Sequence, residues 1–290
     1  MAKDQPKPAV NISEELSLTK VRRFSSLTIG NRLFWRVLID IWFTRWKRAG
    51  RFALFCFFVG PLIGVAEESR PDECVVLLHG LARTAASMNS VQKHLQANRY
   101  QVVNQGYPSR RETIETLAAE TIPEALARCP KDSKVHFVTH SMGGILLRAY
   151  LSRHELSALA RVVMLGPPNQ GSEIVDYLGD LPGFGLLNGP AGKQLGTAPS
   201  DVPKTLGPVR FQLGVIAGTR TLKPLLSQLL PNPDDGKVSV ASKKVEGMTD
   251  FIALPVSHPL MMNNAAVMAQ ISAFLEMGRF NDGQKPATPS

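Results

Sequence analysis

The chain has 290 residues, 44% of them apolar, which is enough to build a buried core and excludes a disordered protein. The formal charge of +9 is concentrated at one end: residues 1–51 hold 11 Lys/Arg against 4 Asp/Glu, and residues 52–290 hold 22 against 20. The longer part has no basic stripe and no ladder of aromatic residues. Composition therefore argues against a nucleic-acid partner.

An uncharged apolar segment occupies residues 52–66, after a basic stretch and before Glu67. Its 15 residues suit the apolar core of a signal peptide better than a membrane span of about 20 residues. Gly64 and Ala66 are small residues at the positions that a signal peptidase inspects. We expect cleavage after Ala66 and export to the periplasm or medium, and the alternative is an uncleaved signal anchor formed by residues 52–66.

The region before this segment is longer than most signal peptides require. Residues 33–46 are rich in Trp, Phe, Leu and Ile with interspersed charges, so they could form an amphipathic helix on a membrane surface. The alternative is a start codon assigned too early, although no Met lies between Met1 and Met88. On either interpretation, residues 1–66 are separate from a folded domain at 67–281, and residues 282–290 form a disordered polar tail.

The folded domain begins with alternating strand and helix patterns. A continuous apolar run at 74–78 predicts a strand covered on both faces, and it ends in His79-Gly80-Leu81. A helix is expected at 87–98, a short strand at 100–103, and a second helix at 112–128 that Pro123 should kink or split. This order predicts βαβ units and a mostly parallel sheet.

The next strand, at 135–140, runs directly into Ser141, Met142 and two glycines, followed by an apolar helix. A serine on such a sharp turn needs small neighbours, and Gly143 meets that need. The backbone N–H groups at the start of the helix are free to stabilise negative charge on a bound oxygen.

Strands are expected again at 161–165, 211–218 and 251–254, and an amphipathic helix at 263–277 closes the domain. Residues 173–208 form a long insert, rich in Gly and Pro and dotted with apolar residues. It could be a cap over a site or a surface excursion that covers the sheet edge.

The Thr139-His140-Ser141-Met142-Gly143 stretch resembles the G-x-S-x-G nucleophile elbow of the α/β-hydrolase superfamily, in its bacterial lipase and esterase branch, with Thr139 in place of the first glycine. The resemblance implies a mostly parallel central sheet flanked by helices, with the insert as a possible cap. It assigns the oxyanion hole to the backbone N–H groups of Leu81 and Met142. His79 is then expected to brace the loop.

A serine nucleophile needs a base and an acid that orients the base. In this superfamily they follow the serine in the order acid, then histidine. Of the six histidines, His258 lies between the last predicted strand and the last helix, where the base is expected. Residues 235–238 resemble the Asp-Gly-x-Val turn that carries the acid in bacterial lipases, which favours Asp235, with Asp234 as the alternative.

The resemblance implies a serine hydrolase that cleaves carboxylic esters through an acyl-enzyme. Lipids are possible substrates, since the insert is apolar. Acyl transfer or amide cleavage by the same triad remains open, as does a non-catalytic binding protein of this fold. We expect no metal or organic cofactor, a small-molecule or lipid ester as partner, and a monomer.

Cys74 and Cys129 are expected to form a disulfide, because in this fold the two strands that they precede are parallel neighbours. Only these two of the three cysteines remain once Cys56 leaves with the signal peptide, and an even count suits an oxidising compartment. The alternative is a pair of free, half-buried thiols.

Overall fold

A computed structural model describes residues 70–281, except 223, together with residue 283. The chain divides into two units, residues 1–63 and 64–290, and all described residues belong to the second. The predicted signal segment, the basic region before it and the polar tail lie outside the described residues. Among the described residues, no helix has the length and apolar character needed to cross a membrane.

The centre of the domain is a sheet of six strands, all parallel, which confirms the predicted fold class. Their spatial order is β2-β1-β3-β4-β5-β6. The strands are β1 (Arg70–Leu78), β2 (Tyr100–Gln105), β3 (Lys134–His140), β4 (Leu159–Leu165), β5 (Gln212–Gly218) and β6 (Asp250–Leu254). The carboxyl ends of these strands share one edge, where sheets of this kind carry their sites.

The helices connect and cover the strands. They are α1 (Asn89–Ala97), α2 (Ile114–Leu126), α3 (Met142–Leu151), α4 (Glu173–Leu178), α5 (Phe184–Lys193), α6 (Val202–Thr205), α7 (Pro224–Ser227), α8 (Val240–Lys243) and α9 (Ala265–Met277), with short 3₁₀ turns at Ala85–Met88 and His258–Asn263.

Side chains of the central strands alternate between two cores because successive residues of a strand point to opposite faces. Val75 and Leu77 pack on one face with residues of α1 and α9, such as Phe274. Val76 and Leu78 pack on the other face with Ile122 of α2. Helices on both faces explain why the strands read as continuous apolar runs.

Two details of the elements differ from the sequence-based expectations. The helix α2 continues through Pro123 without a break. The hydrogen bond lost at a proline is the one to the carbonyl four residues earlier, here that of Ala119, which is exposed and open to water. The insert, expected to be poorly periodic, holds three helices, with Gly189 at φ 68° interrupting α5.

A disulfide joins Cys74, inside β1, to Cys129, which lies between α2 and β3. The two Cα atoms are 5.7 Å apart. β1 and β3 are hydrogen-bonded neighbours, with Cys74 opposite Val135. The bridge therefore links β1, which leads to His79, to the segment before β3, which leads to Ser141.

Candidate active site

Ser141 lies at the turn between β3 and α3 with φ 54° and ψ −125°, a strained conformation that few residues adopt. The turn requires Gly143, because a Cβ there would lie 2.7 Å from the carbonyl oxygens of both Leu78 and His79. Thr139 fits in place of the usual glycine because its Oγ1 lies beside Gly144, which has no side chain. The sharp turn is thus preserved, with Ser141 lining a cavity.

The two predicted oxyanion donors flank this serine. Met142 is the first residue of α3, so the helix offers no carbonyl for its N–H. Leu81 follows Gly80, where a Cβ would lie 3.1 Å from Cβ of Ser141, so the loop lies directly against the turn. Within the described part of the chain, the structure gives the Leu81 N–H no hydrogen-bond acceptor. Both donors are therefore available to a bound oxygen.

His79 is buried and braces this loop. Its ring stacks on Tyr107 with centroids 4.0 Å apart, and the Tyr107 hydroxyl donates to its carbonyl oxygen. The Tyr107 N–H donates to Nε2 at 3.3 Å, and Nδ1 donates to the Gly80 carbonyl at 2.9 Å. Burial lowers the pKa of His79, which favours the neutral ring.

Asp235 and His258 are brought together by the loops after β5 and β6. Nδ1 of His258 lies 2.8 Å from Oδ2 of Asp235, and the His258 N–H donates to the Asp235 carbonyl at 3.0 Å. The close approach depends on Gly166, where a Cβ would lie 3.0 Å from Nδ1 of His258. With Nδ1 donating to the carboxylate, Nε2 of His258 is left as the basic nitrogen.

The Asp235 carboxylate is almost fully buried, yet it is held ionised. Burial alone would raise its pKa, but His258, the charge of Lys243 and the Val238 N–H outweigh that effect and hold the pKa well below its usual value. Oδ1 accepts from the backbone N–H groups of Lys237 and Val238, at 3.1 and 3.0 Å. The Asp-Gly-x-Val turn therefore holds the carboxylate in place with the backbone N–H groups of its own last two residues.

Asp234, the alternative acid, turns away from His258. Its Oδ1 accepts from the Gly236 N–H at 2.6 Å, and its Oδ2 accepts from the Ser227 hydroxyl. Asp234 is buried and shapes the turn, so Asp235 is the carboxylate that contacts the histidine.

Lys243, at the end of α8, was missed by sequence reasoning. Its side chain is fully buried, Nζ lies 3.2 Å from Oδ2 of Asp235, and Nζ also donates to the Val238 carbonyl. Burial lowers the pKa of Lys243, against the opposing effect of Asp235. Nothing in the sequence distinguishes Lys243 from the adjacent Lys244, which is exposed, so only the tertiary structure shows this contact.

The four other histidines have structural contacts. His140 packs beneath the site, its Nε2 donating to the His258 carbonyl at 3.1 Å, and burial followed by the charge of His258 lowers its pKa well below 6.5. His94 contacts Ser272. His136 is buried within β3, and His154 stacks on Tyr150.

Ser141, Asp235 and His258 line one cavity of about 600 Å³, together with Leu81. The insert forms an apolar wall of this cavity through the side chains of Ile174, Val175, Leu178, Phe184 and Leu187. In the described part of the chain, the Ser141 hydroxyl has no hydrogen bond to His258. Such contacts often tighten only when substrate binds.

The described residues hold no group of three or more His, Cys, Asp or Glu side chains arranged for a metal ion. The site consists of a serine on a strained turn, a histidine paired with a buried carboxylate, two backbone N–H groups and an apolar cavity. Nucleophilic attack by serine is the chemistry for which such groups are suited.

The all-parallel sheet and the elbow define the chain as an α/β-hydrolase fold, and its similarities lie with the lipase and esterase branch. Residues 74–195 match the palmitoyl protein thioesterase family. That match spans the loop at residues 79–81, the elbow and residues 173–195 of the insert, and ends before Asp235. No curated protein sequence matches the chain.

Solved structures share this fold at low identity. A lipase from Bacillus licheniformis in its mature form is 18% identical with a TM-score of 0.53, covering 73% of this chain and 94% of its own. A phospholipase from Legionella pneumophila is 18% identical with a TM-score of 0.53, covering 64% and 53%. A metagenomic carboxyl esterase is 18% identical with a TM-score of 0.54, covering 66% and 65%.

Proposed function

We propose that this protein is a serine hydrolase that cleaves carboxylic esters of apolar acyl groups. The observation that carries the proposal is the 2.8 Å contact between His258 and Asp235, in a cavity that Ser141 also lines. The similarity to lipases and esterases supports the reaction class. The reaction needs no metal or organic cofactor.

In the proposed reaction, Oγ of Ser141 attacks the ester carbonyl while Nε2 of His258 takes its proton. The carbonyl oxygen becomes negative and is stabilised by the N–H groups of Leu81 and Met142, each worth on the order of 3 kcal/mol. Collapse breaks the ester bond, and His258 returns the proton to the departing alcohol. Water activated by His258 then hydrolyses the acyl-enzyme in the same two steps.

The apolar wall formed by the insert supports a hydrocarbon acyl chain. Burial of each methylene group contributes about 0.8 kcal/mol, so kcat/KM is expected to rise with chain length until the cavity is filled. Thioesters are a second candidate substrate, favoured by the match to palmitoyl protein thioesterases over residues 74–195. Transfer of the acyl group to another alcohol, or cleavage of an amide, would use the same groups.

A fluorophosphonate probe tests the reaction class. We expect covalent labelling of the wild type and of Ser157→Ala, which changes an exposed serine, but not of Ser141→Ala. Absence of wild-type labelling would overturn the proposal. Values of kcat/KM for p-nitrophenyl esters and matched thioesters, with acyl chains of two to sixteen carbons, would then establish the acyl preference.

A further inference from the structure

A second cavity of about 580 Å³ adjoins the candidate active site. The two cavities share Ala82 and Arg83 as a common wall. Arg83, Arg110 and Arg111 all line the second cavity, and no carboxylate of residues 70–281 does. Its chemistry is therefore strongly cationic, next to a cavity whose wall is apolar.

These three guanidinium groups are not neutralised by the rest of the described chain. No ion pair joins any of them to a carboxylate of the described residues, and Arg110 makes only a long contact, 3.5 Å, from Nη1 to the Leu187 carbonyl. Guanidinium groups present paired N–H donors that match the oxygens of phosphate and carboxylate. An anion bound in this cavity would be attracted by all three cations.

The walls of the second cavity are anchored rather than loose. The Ala82 N–H donates to Oγ of Ser109 at 3.0 Å. This bond links the loop that follows Leu81 to the segment that carries Arg110 and Arg111. On the other side, Gly189 lies so close to Arg110 that a Cβ would fall 1.9 Å from its carbonyl oxygen. The Ala191 N–H also donates to the Glu112 carbonyl at 3.2 Å.

We propose that Arg83, Arg110 and Arg111 form a subsite for an anionic group, a phosphate or carboxylate, carried by the same substrate whose acyl chain occupies the main cavity. The inference rests on the proposed function, because it places the ester of that substrate at Ser141, next to both cavities. Ala82 and Arg83 directly follow Leu81 and line both cavities, so an ester held at the Leu81 N–H lies close to the wall that the two cavities share. The substrate is then an anionic amphiphile rather than a neutral ester.

Binding without turnover tests the subsite, since it does not depend on hydrolysis. Isothermal titration of the folded protein would compare octyl phosphate, octyl glucoside and inorganic phosphate, with the octyl compounds below their micelle concentrations. We expect octyl phosphate to bind at least about ten-fold more tightly than either of the others, because it alone combines a chain with an anion.

Variants assign this preference to the arginines. R110Q/R111Q should reduce the preference for octyl phosphate over octyl glucoside about ten-fold, and R110K/R111K should retain part of it. Arg210→Gln is the matched control, since it removes an exposed guanidinium that lines a different cavity. Thermal unfolding of each variant would show that all of them fold.

Three results would overturn the subsite: equal affinity for the two octyl compounds, a preference unchanged by R110Q/R111Q, or inorganic phosphate binding as tightly as octyl phosphate. The last would show a site for free anions rather than for substrate. If octyl phosphate binds as expected but the fluorophosphonate probe fails to label Ser141, the proposed function fails and the subsite stands.

Discussion

Nζ of Lys243 lies 3.2 Å from Oδ2 of Asp235, and the side chains of both residues are fully buried. The same Oδ2 also accepts the hydrogen bond from Nδ1 of His258. The carboxylate is therefore shared between a fixed cation and a histidine that must gain and lose a proton. Asp234 and Glu173 also lie close enough to act on the charge of Lys243. Lys243 is a positioning residue in this arrangement, because it acts through Asp235.

Replacing Lys243 by Met should affect both stability and the pH profile. Asp235 would lose a buried partner, which typically costs 3–5 kcal/mol, so we expect a loss of about 3 kcal/mol in the free energy of unfolding. The positive form of the histidine would no longer be opposed by a nearby cation, so the acid limb of kcat/KM should move to higher pH. Urea unfolding and a pH–rate profile measure the two effects, and Lys244→Met, at an exposed neighbour, is the control. An unmoved acid limb would limit Lys243 to a structural role.

Asp235→Asn should lower kcat by about 10⁴, because an amide cannot hold the imidazole in the required tautomer or stabilise its charged form. Asp234→Asn should leave the chemistry intact but lower stability by about 1–3 kcal/mol, because its buried carboxylate holds the Gly236 N–H and the Ser227 hydroxyl. Steady-state kinetics and thermal unfolding of both variants distinguish the two roles. Strong loss of turnover only in the Asp234 variant would reassign the acid.

His258→Ala and His79→Ala should separate catalysis from folding. Removing His258 should reduce turnover by about 10⁶ while Asp235 keeps Lys243 as a partner. Removing His79 should also lower stability by about 2–3 kcal/mol, because its stacking on Tyr107 and its buried hydrogen bonds are lost. Measuring kcat and the unfolding midpoint of each variant separates a loss of catalysis from a loss of stability. A His79 variant of normal stability would contradict the bracing role.

Stability should fall below about pH 6.5, in part because of His140. Burial holds the pKa of His140 well below 6.5, so the folded ring stays neutral while the unfolded ring takes up a proton as the pH falls. The unfolded state then binds more protons, and the free energy of unfolding drops by up to about 1.4 kcal/mol per pH unit. Urea unfolding at pH 7.5 and 5.0 should show a smaller drop for His140→Gln than for wild type or for the exposed His154→Gln. Equal drops in all three would exclude this contribution.

We propose that the protein is exported, begins at Glu67 after cleavage and carries the Cys74–Cys129 disulfide. Its unreduced intact mass would then match residues 67–290 less two hydrogens. Cys74→Ser with Cys129→Ser should lower the free energy of unfolding by about 4 kcal/mol or less, since the bridge spans 55 residues. Two alkylated thiols, or a mass that includes residues 52–66, would contradict the expected processing or oxidation.

Sequence reasoning succeeded where a local pattern carries the geometry. The apolar run at the end of β1, Gly143 after the elbow serine and the Asp-Gly-x-Val turn are short patterns that specify the local backbone by themselves. It failed where distant segments meet. Lys243 and the three arginines of the second cavity have no periodic signature, because their roles depend on which loops the fold brings together. The helices of the insert were missed because its Gly and Pro residues obscure a 3.6-residue period.

The order of the parts along the chain determines when the site exists during synthesis. The strands β1 and β3 emerge from the ribosome early, followed directly by Ser141 and the two proposed oxyanion donors, Leu81 and Met142. Asp235 and His258 are added about a hundred residues later, after β5 and β6. In the proposed mechanism, a growing chain therefore carries the serine before its base, and the Ser141 hydroxyl cannot be activated until almost the whole domain has been made.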